Sequence, residues 1–135
     1  MKKNQERLDH GLHNEKVCDL LDTKREFTDW IITTAFYTAL QFVSYKIFPI
    51  DIKVNNGKKV TIIDIDQYRT LMGKREISKH KLLADLVNKH FPAIYEDYDW
   101  LLDASYNARY INYQHPVEVA ILARSLMKKI KKTCV

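Results

Sequence analysis

Glycine, proline and cysteine are scarce in this chain, which has three glycines, three prolines and two cysteines in 135 residues. A glycine-rich loop that cradles phosphates needs several glycines close together, and no such loop is present. Cys18 and Cys134 show no CxxC spacing, so the sequence predicts neither a disulfide framework nor a cysteine–histidine metal site. An HExxH motif and paired carboxylates are also absent, and we expect neither a metal nor a cofactor.

Segments suited to secretion or to a membrane are missing as well. The charged N-terminal residues lead into an amphipathic pattern rather than an apolar core followed by a cleavage site. The uncharged run over residues 30–45 is too polar and slightly too short to cross a bilayer. We therefore expect a protein of the reducing cytoplasm that has no membrane partner.

The composition favours helices in a single domain. A chain of 135 residues that is 46% hydrophobic can bury one core, and the long periodic segments with few glycines are typical of helices. We predict a mainly α fold, a bundle of four to five helices that forms one domain over residues 1–135. Apolar periodicity places the helices at about residues 5–22, 28–45, 78–91, 93–109 and 116–132.

The second predicted helix is uncharged from Trp30 to Tyr45. Apolar residues occupy nearly its whole circumference, which predicts a central helix that also contacts another subunit. Thr28 or Asp29 is the expected N-cap, and Ser78 is the expected N-cap of the third helix. In the last helix the residues expected to be buried are Val117, Ala120, Ile121, Leu126 and Ile130.

Between residues 49 and 75 the pattern changes, and we predict an inserted hairpin and arm. Alternating apolar residues flank Asn55-Asn56-Gly57, and Asn-Gly in this position is the strongest short-range signal of a β-hairpin. Residues 64–77 are polar and show no clear period, which predicts a loop or a partly mobile arm.

The net charge of +5 favours a polyanionic partner such as RNA, DNA or a nucleotide. Part of the charge lies at the C-terminal end, in Lys128, Lys129, Lys131 and Lys132. These lysines also fit a solvated last helical turn that complements the helix dipole.

Arg109 and His115 are the leading candidates for chemistry. Arg109 lies on the same helical face as Leu102 and Ser105, and His115 follows six positions later, directly before Pro116. The two side chains can therefore converge across a short loop, where a permanent charge and a group titrating near neutrality would handle phosphate. Both also fit a structural role, because an arginine complements the end of a helix and a histidine can complete a loop.

Several short segments resemble prokaryotic HEPN domain proteins, over most of the chain except residues 49 to 75. The recurrent motif of that family is an arginine followed after four to six residues by a histidine, which Arg109 and His115 match. The other segments that carry the resemblance are Leu12-His-Asn-Glu15, Asp29-Trp30, Thr34-Ala-Phe-Tyr-Thr-Ala39, Ser78-Lys-His80 and Ala108-Arg-Tyr110.

The resemblance implies an up-and-down bundle that forms a homodimer and brings two Arg-His pairs together. In many members this arrangement is a metal-independent endoribonuclease, which here would act as a toxin or defence component. Arg109 would hold the scissile phosphate and His115 would transfer a proton. Further RNA contacts are expected from Tyr106, Tyr110, Asn112, Tyr113 and His80, of which the tyrosines can stack on unpaired bases.

A second interpretation is a non-catalytic interaction module. Some HEPN domains only bind RNA, nucleotides or a partner nucleotidyltransferase, which would here act as an antitoxin. Tyr110 favours this interpretation, because catalytic members often have a small polar residue after the motif arginine. The tyrosines would then be packing residues, and His80 a capping or solvent-facing residue.

Overall fold

The computed structural model describes residues 2–135, which form a mainly α-helical bundle with a small antiparallel hairpin. The elements in chain order are α1 (Lys2–Asp22), α2 (Thr28–Ile47), β1 (Ile50–Lys53), β2 (Lys59–Ile62), α3 (Ile65–Leu71), α4 (Lys79–His90), α5 (Pro92–Tyr110) and α6 (Val117–Cys134).

Helix α2 is the centre of the bundle and contacts α1, α4, α5 and α6. Twelve of its 20 residues are buried within one chain, because apolar side chains surround the helix. Most of α2 is thus covered by its own bundle, and the expected contact of this helix with another subunit stays a prediction. Trp30, which is 55% exposed, is the large apolar side chain that remains open on this helix.

Helices α1 and α2 approach closely at Gly11. A Cβ atom built on Gly11 would lie 2.6 Å from Cε1 of Phe42, which is far inside van der Waals contact. Phe42 and Cys18 are both fully buried, and the Cys18 thiol donates to the carbonyl of Ile31 at 3.6 Å. The missing side chain of Gly11 thus allows the Phe42 ring to pack against the α1 backbone.

The helix starts agree with the predicted caps in one case of two. Ser78 caps α4 as expected, because its hydroxyl accepts a hydrogen bond from the Lys81 amide at 3.2 Å. At α2 the prediction was wrong: Phe27 holds the cap position and no side-chain cap forms. The Thr28 hydroxyl instead donates to the carbonyl of His115 at 2.9 Å, which ties the start of α2 to the α5–α6 loop.

The predicted hairpin is confirmed, whereas residues 64–77 differ from the prediction. Strands β1 and β2 pair with Ile50 opposite Ile62, and Gly57 takes the positive φ of 79° that the turn requires. The segment predicted as a loop contains the seven-residue helix α3, whose N-cap Asp64 accepts from the Gln67 amide at 2.8 Å. Two helical turns are too short to reveal a period, so the sequence pattern missed α3.

Helix α6 buries Ala120 and Ile130 as predicted, but the rest of its buried face differs from the prediction. Ile121 is 40% exposed, so its predicted burial was wrong, and Val117 and Leu126 are only partly buried. The face that packs onto α2 and α5 includes two alanines, because small side chains let helices approach closely. The fully buried residues of α6 are Ala120, Ala123, Met127, Ile130 and Cys134.

Ion pairs join α6 to α1 at Glu15. Its carboxylate accepts hydrogen bonds from Lys128 and Lys131, each at 2.8 Å, and Lys128 also lies 3.0 Å from Asp19. Lys129 pairs with Asp97 of α5 at 2.9 Å. Three of the four C-terminal lysines therefore have carboxylate partners, so they are part of the fold rather than a free basic tail.

Replacing Glu15 by glutamine is expected to destabilise the fold in a pH-dependent way. Burial raises the pKa of Glu15. The hydrogen bonds and charges of Lys128 and Lys131 lower it by more than burial raises it, so the pKa lies below its ordinary value. The stabilisation is therefore present above the unfolded-state value of about 4.3 and is lost as pH falls through the folded-state pKa. The expected loss at pH 7 is on the order of 1–2 kcal/mol, discounted for the partly exposed lysines.

Urea denaturation of both proteins at pH 7 and at about pH 3 tests this expectation. Glu6 lies exposed on the same helix and has no ion pair among the described residues, so Glu6→Gln is the matched control, with a change within about 0.5 kcal/mol. Equal effects of the two substitutions at pH 7, or a Glu15→Gln effect that persists unchanged at low pH, would contradict the role of the network.

Candidate functional site

Arg109 is held rigidly at the end of α5. Its Nε donates to the Ser105 carbonyl at 3.1 Å, Nη2 reaches the Ser105 hydroxyl at 3.4 Å, and Nη1 donates to the Tyr37 hydroxyl at 2.7 Å. Ser105 is fully buried and Tyr37 lies in the central helix α2. The guanidinium is thus fixed by its own helix on one side and by α2 on the other.

The charge of Arg109 is not neutralised by a nearby acid. No salt bridge within residues 2–135 includes this residue. A guanidinium has five N–H donors, of which the three bonds above use three, so one on each terminal nitrogen remains. Two free donors on adjacent nitrogens are the number that a guanidinium uses when it binds a carboxylate or phosphate through paired hydrogen bonds.

Aromatic rings surround this guanidinium. Its Cζ lies 5.0 Å from the Tyr110 ring centroid, 5.3 Å from that of Tyr37 and 6.0 Å from that of Phe36. Tyr106 and Tyr110 are 55% and 65% exposed, and their ring centroids are 5.1 Å apart. Exposed tyrosines beside a fixed cation can stack on unpaired bases while the cation binds the backbone phosphate.

His80 lies in the first turn of α4 and faces the same region. Its ring packs edge-on against Phe36, with centroids 5.4 Å apart, and against Tyr37 at 6.2 Å. Burial lowers the pKa of His80, and the positive charges of Arg109 and Lys79 lower it further. The imidazole is therefore neutral at pH 7 and can accept a proton.

Arg109, His80, Tyr106 and Tyr110 line one cavity of about 370 Å³. Four of the predicted site residues are brought together here, although they come from two helices and lie up to 30 positions apart in the chain. The lining residues are Ser78, His80, Leu102, Asp103, Tyr106, Arg109 and Tyr110. We refer to this region as the Arg109 cavity.

His115 lies elsewhere, in a second cavity of about 680 Å³ beside the start of α2. Its Nε2 is 2.6 Å from the Asn112 carbonyl, and its own carbonyl accepts from Thr28. Arg109 contacts α2 at Tyr37, nine residues further along, which corresponds to roughly 14 Å of helix. No contact between the two side chains is present within residues 2–135, and they line different cavities.

The end of α5 explains this separation. The amides of Ile111 and Asn112 both bond to the Asn107 carbonyl, which closes the helix and turns the chain toward the start of α2. The Asn112 side chain accepts from the Gln114 amide at 2.9 Å, so it braces this loop. Tyr113, which is 68% exposed, lines the second cavity with His115. Asn112 and Tyr113 thus accompany His115 rather than Arg109.

Tyr37 is the site residue that sequence reasoning missed. It belongs to the uncharged helix predicted at the centre of the bundle, and its hydroxyl links α2 to Arg109 across 72 positions of sequence. The available signal was its position three residues after Thr34 and four before Gln41, because this spacing places all three on one helical face. A polar stripe on a buried helix indicates hydrogen-bond partners in a neighbouring element.

Within residues 2–135, no helix has both the length and the apolar character needed to cross a membrane. The same residues contain no cluster of three or more His, Cys, Asp or Glu side chains that could hold a metal ion. Comparison with known proteins gave no match to a protein-family model, to a curated protein or to a solved structure.

Proposed function

We propose that this protein is an RNA-directed domain of the HEPN type that cleaves RNA without a metal ion. The observation that carries the proposal is the state of Arg109, a fixed cation with two free N–H donors and no acidic partner among the described residues. It lies in a cavity whose rim carries two exposed tyrosines. That combination suits an unpaired nucleotide, which offers a phosphate and a base a few ångströms apart.

In the proposed reaction Arg109 holds the non-bridging oxygens of the scissile phosphate and stabilises the charge that develops on them. A neutral histidine removes the proton from the adjacent 2′-hydroxyl, whose oxygen attacks phosphorus. The bond to the 5′-oxygen breaks, and that oxygen takes a proton. The products are a 2′,3′-cyclic phosphate and a 5′-hydroxyl end.

The proposed biological context is a toxin or defence component that forms a homodimer and is controlled by a nucleotidyltransferase-type antitoxin partner. An Arg109–His115 pair would need a second copy of the chain, because the two residues line different cavities of one chain. Light scattering at tens of micromolar tests whether the protein is a dimer. A monomer at that concentration would exclude an active site in which Arg109 of one copy pairs with His115 of another.

The test of the activity is incubation of the purified chain with a single-stranded RNA of mixed sequence in excess chelator. We expect new 5′-hydroxyl and 2′,3′-cyclic phosphate ends. The matched control is the same sequence with 2′-deoxyriboses, which lacks the attacking hydroxyl and should remain intact. Cleavage of the deoxy strand, or cleavage that depends on added metal, would contradict the proposed chemistry.

A non-catalytic RNA-binding or partner-binding module is the second candidate. The observation that favours it is the environment of His115, whose Nε2 lies 2.6 Å from the Asn112 carbonyl and whose carbonyl accepts from Thr28. In this arrangement the histidine stabilises the α5–α6 loop. Retention of the RNA on the protein without any new ends in the same experiment would establish this candidate.

A further inference from the structure

Arg109 shares its cavity with a histidine of the same chain, although that histidine is not the one in the Arg-His motif. His80 and Arg109 both line the Arg109 cavity. They are also connected through Tyr37, since its ring packs against His80 and its hydroxyl accepts from Arg109. One residue of α2 therefore positions both the cation and the imidazole.

The packing behind His80 holds the ring in place. Phe36 is fully buried and meets the imidazole edge-on at 5.4 Å. The histidine itself is only partly buried, so one side of the ring is packed and the other faces the cavity. A phosphate bound by the free donors of Arg109 would occupy the volume that His80 also lines.

We infer that His80 is the residue that takes the 2′-hydroxyl proton, so that one chain holds both the phosphate-binding group and the base. This inference rests on the proposed ribonuclease function. The 2′-oxygen forms its bond to phosphorus as its proton passes to the imidazole, and the bond to the 5′-oxygen breaks. The leaving oxygen takes a proton from water, and the imidazolium returns its proton to solvent, so atoms and charge balance.

The charges around His80 suit this role. Burial and the charges of Arg109 and Lys79 lower its pKa, which keeps it in the proton-accepting form at neutral pH. Lys79 is itself paired with Asp66 of α3 at 2.7 Å. The other titratable groups that line the cavity or contact the ring are Asp103, Tyr106 and Tyr110 of α5 and Tyr37 of α2.

His115 then has a structural role. Its imidazole and its backbone carbonyl both make hydrogen-bond contacts within the α5–α6 loop and to the start of α2. The roles of His80 and His115 can therefore be distinguished by single substitutions, because the two residues lie in different cavities and contact different parts of α2.

The test compares single-turnover cleavage of one labelled single-stranded RNA, in chelator, by the whole chain and its variants. The glutamine of His80→Gln cannot take the proton, so this variant should cleave about 10²- to 10⁴-fold more slowly. Its RNA affinity, measured by filter binding, should change by less than about 3-fold, because the phosphate contact of Arg109 is kept. His115→Ala tests the motif histidine instead: its loop contacts predict a rate retained within about 3-fold. A loss as large as that of His80→Gln would overturn the assignment of the base to His80. His90 is exposed in the same helix, and His90→Gln is the matched control.

The pH profile adds a readout that a structural role would not change. The wild-type rate should rise with pH through an apparent pKa below the ordinary histidine value of about 6.5, and this limb should disappear in His80→Gln. If the wild-type protein and His80→Gln cleave RNA equally well, the inference about His80 is overturned but the proposed ribonuclease function is retained. A wild-type chain that cuts no RNA overturns the ribonuclease proposal, and the role of His80 with it.

Discussion

Replacing Arg109 by alanine is expected to lower the rate of RNA cleavage by on the order of 10²-fold or more. The substitution removes the cation that neutralises the scissile phosphate and both free donors that would bind its oxygens. Arg109→Lys should restore little, because a compact ammonium cannot reproduce the planar pair of donors or keep the bond geometry to Tyr37. Single-turnover rates and RNA affinities of the three proteins measure the effect.

A control variant distinguishes the loss of the Arg109 charge from the loss of any positive charge on the protein. Lys132 is exposed near the C-terminus and makes no ion pair among the described residues, so Lys132→Ala should leave the rate within a few-fold, as for ordinary surface substitutions. Urea denaturation should show that Arg109→Ala remains folded, since the guanidinium is only partly buried. If Arg109→Ala unfolds the protein while His80→Gln and His115→Ala leave cleavage intact, Arg109 is structural and the Arg109 cavity is not the site of cleavage.

Replacing Phe36 by alanine is expected to lower the free energy of unfolding by about 3–5 kcal/mol. Phe36 is fully buried, and its ring meets Tyr37, His80 and Tyr98 at centroid distances of 5.2, 5.4 and 5.8 Å. Truncation leaves a cavity at the centre of the bundle and removes the surface against which both Tyr37 and His80 pack. Urea denaturation measures the stability, and RNA binding under native conditions measures the site.

Phe27 provides the comparison, because it is the same residue type but 48% exposed at the start of α2. Phe27→Ala should change the stability by less than about 1 kcal/mol, since less apolar area is removed from burial. A loss below about 1 kcal/mol for Phe36→Ala would mean that the core relaxes around the missing ring. In that case the positions of Tyr37 and His80 would not depend on Phe36.

Local patterns of the sequence were sufficient where a structure depends on neighbouring residues. The hairpin followed from the alternation around Asn55-Asn56-Gly57, and the start of α4 followed from Ser78, because turns and caps are made within three or four residues. The long helices followed from their apolar period. Two turns of α3 gave no period, and its stability comes from the Asp64 cap and from contacts with β2 and α4.

The choice of buried face on α6 was decided by packing. Hydrophobicity alone predicted Ile121 inside, whereas the helix buries Ala123 and Met127 and leaves Ile121 and Leu122 exposed. Close packing against α2 and α5 favours small side chains over large apolar ones, and that preference depends on the partner helices. A pattern read along one helix does not contain this information.

The sequence by itself determined that Arg109 would be a charged residue at a helix end with tyrosines close by in the chain, and the tertiary structure decided that these tyrosines are exposed. Only the tertiary structure decided which histidine Arg109 meets. His115 is six positions away but is drawn toward Thr28, whereas His80 is 29 positions away and reaches the same cavity through Phe36 and Tyr37. Proximity along the chain fixes only local geometry, because side chains from distant helices come together through the burial of their shared apolar faces.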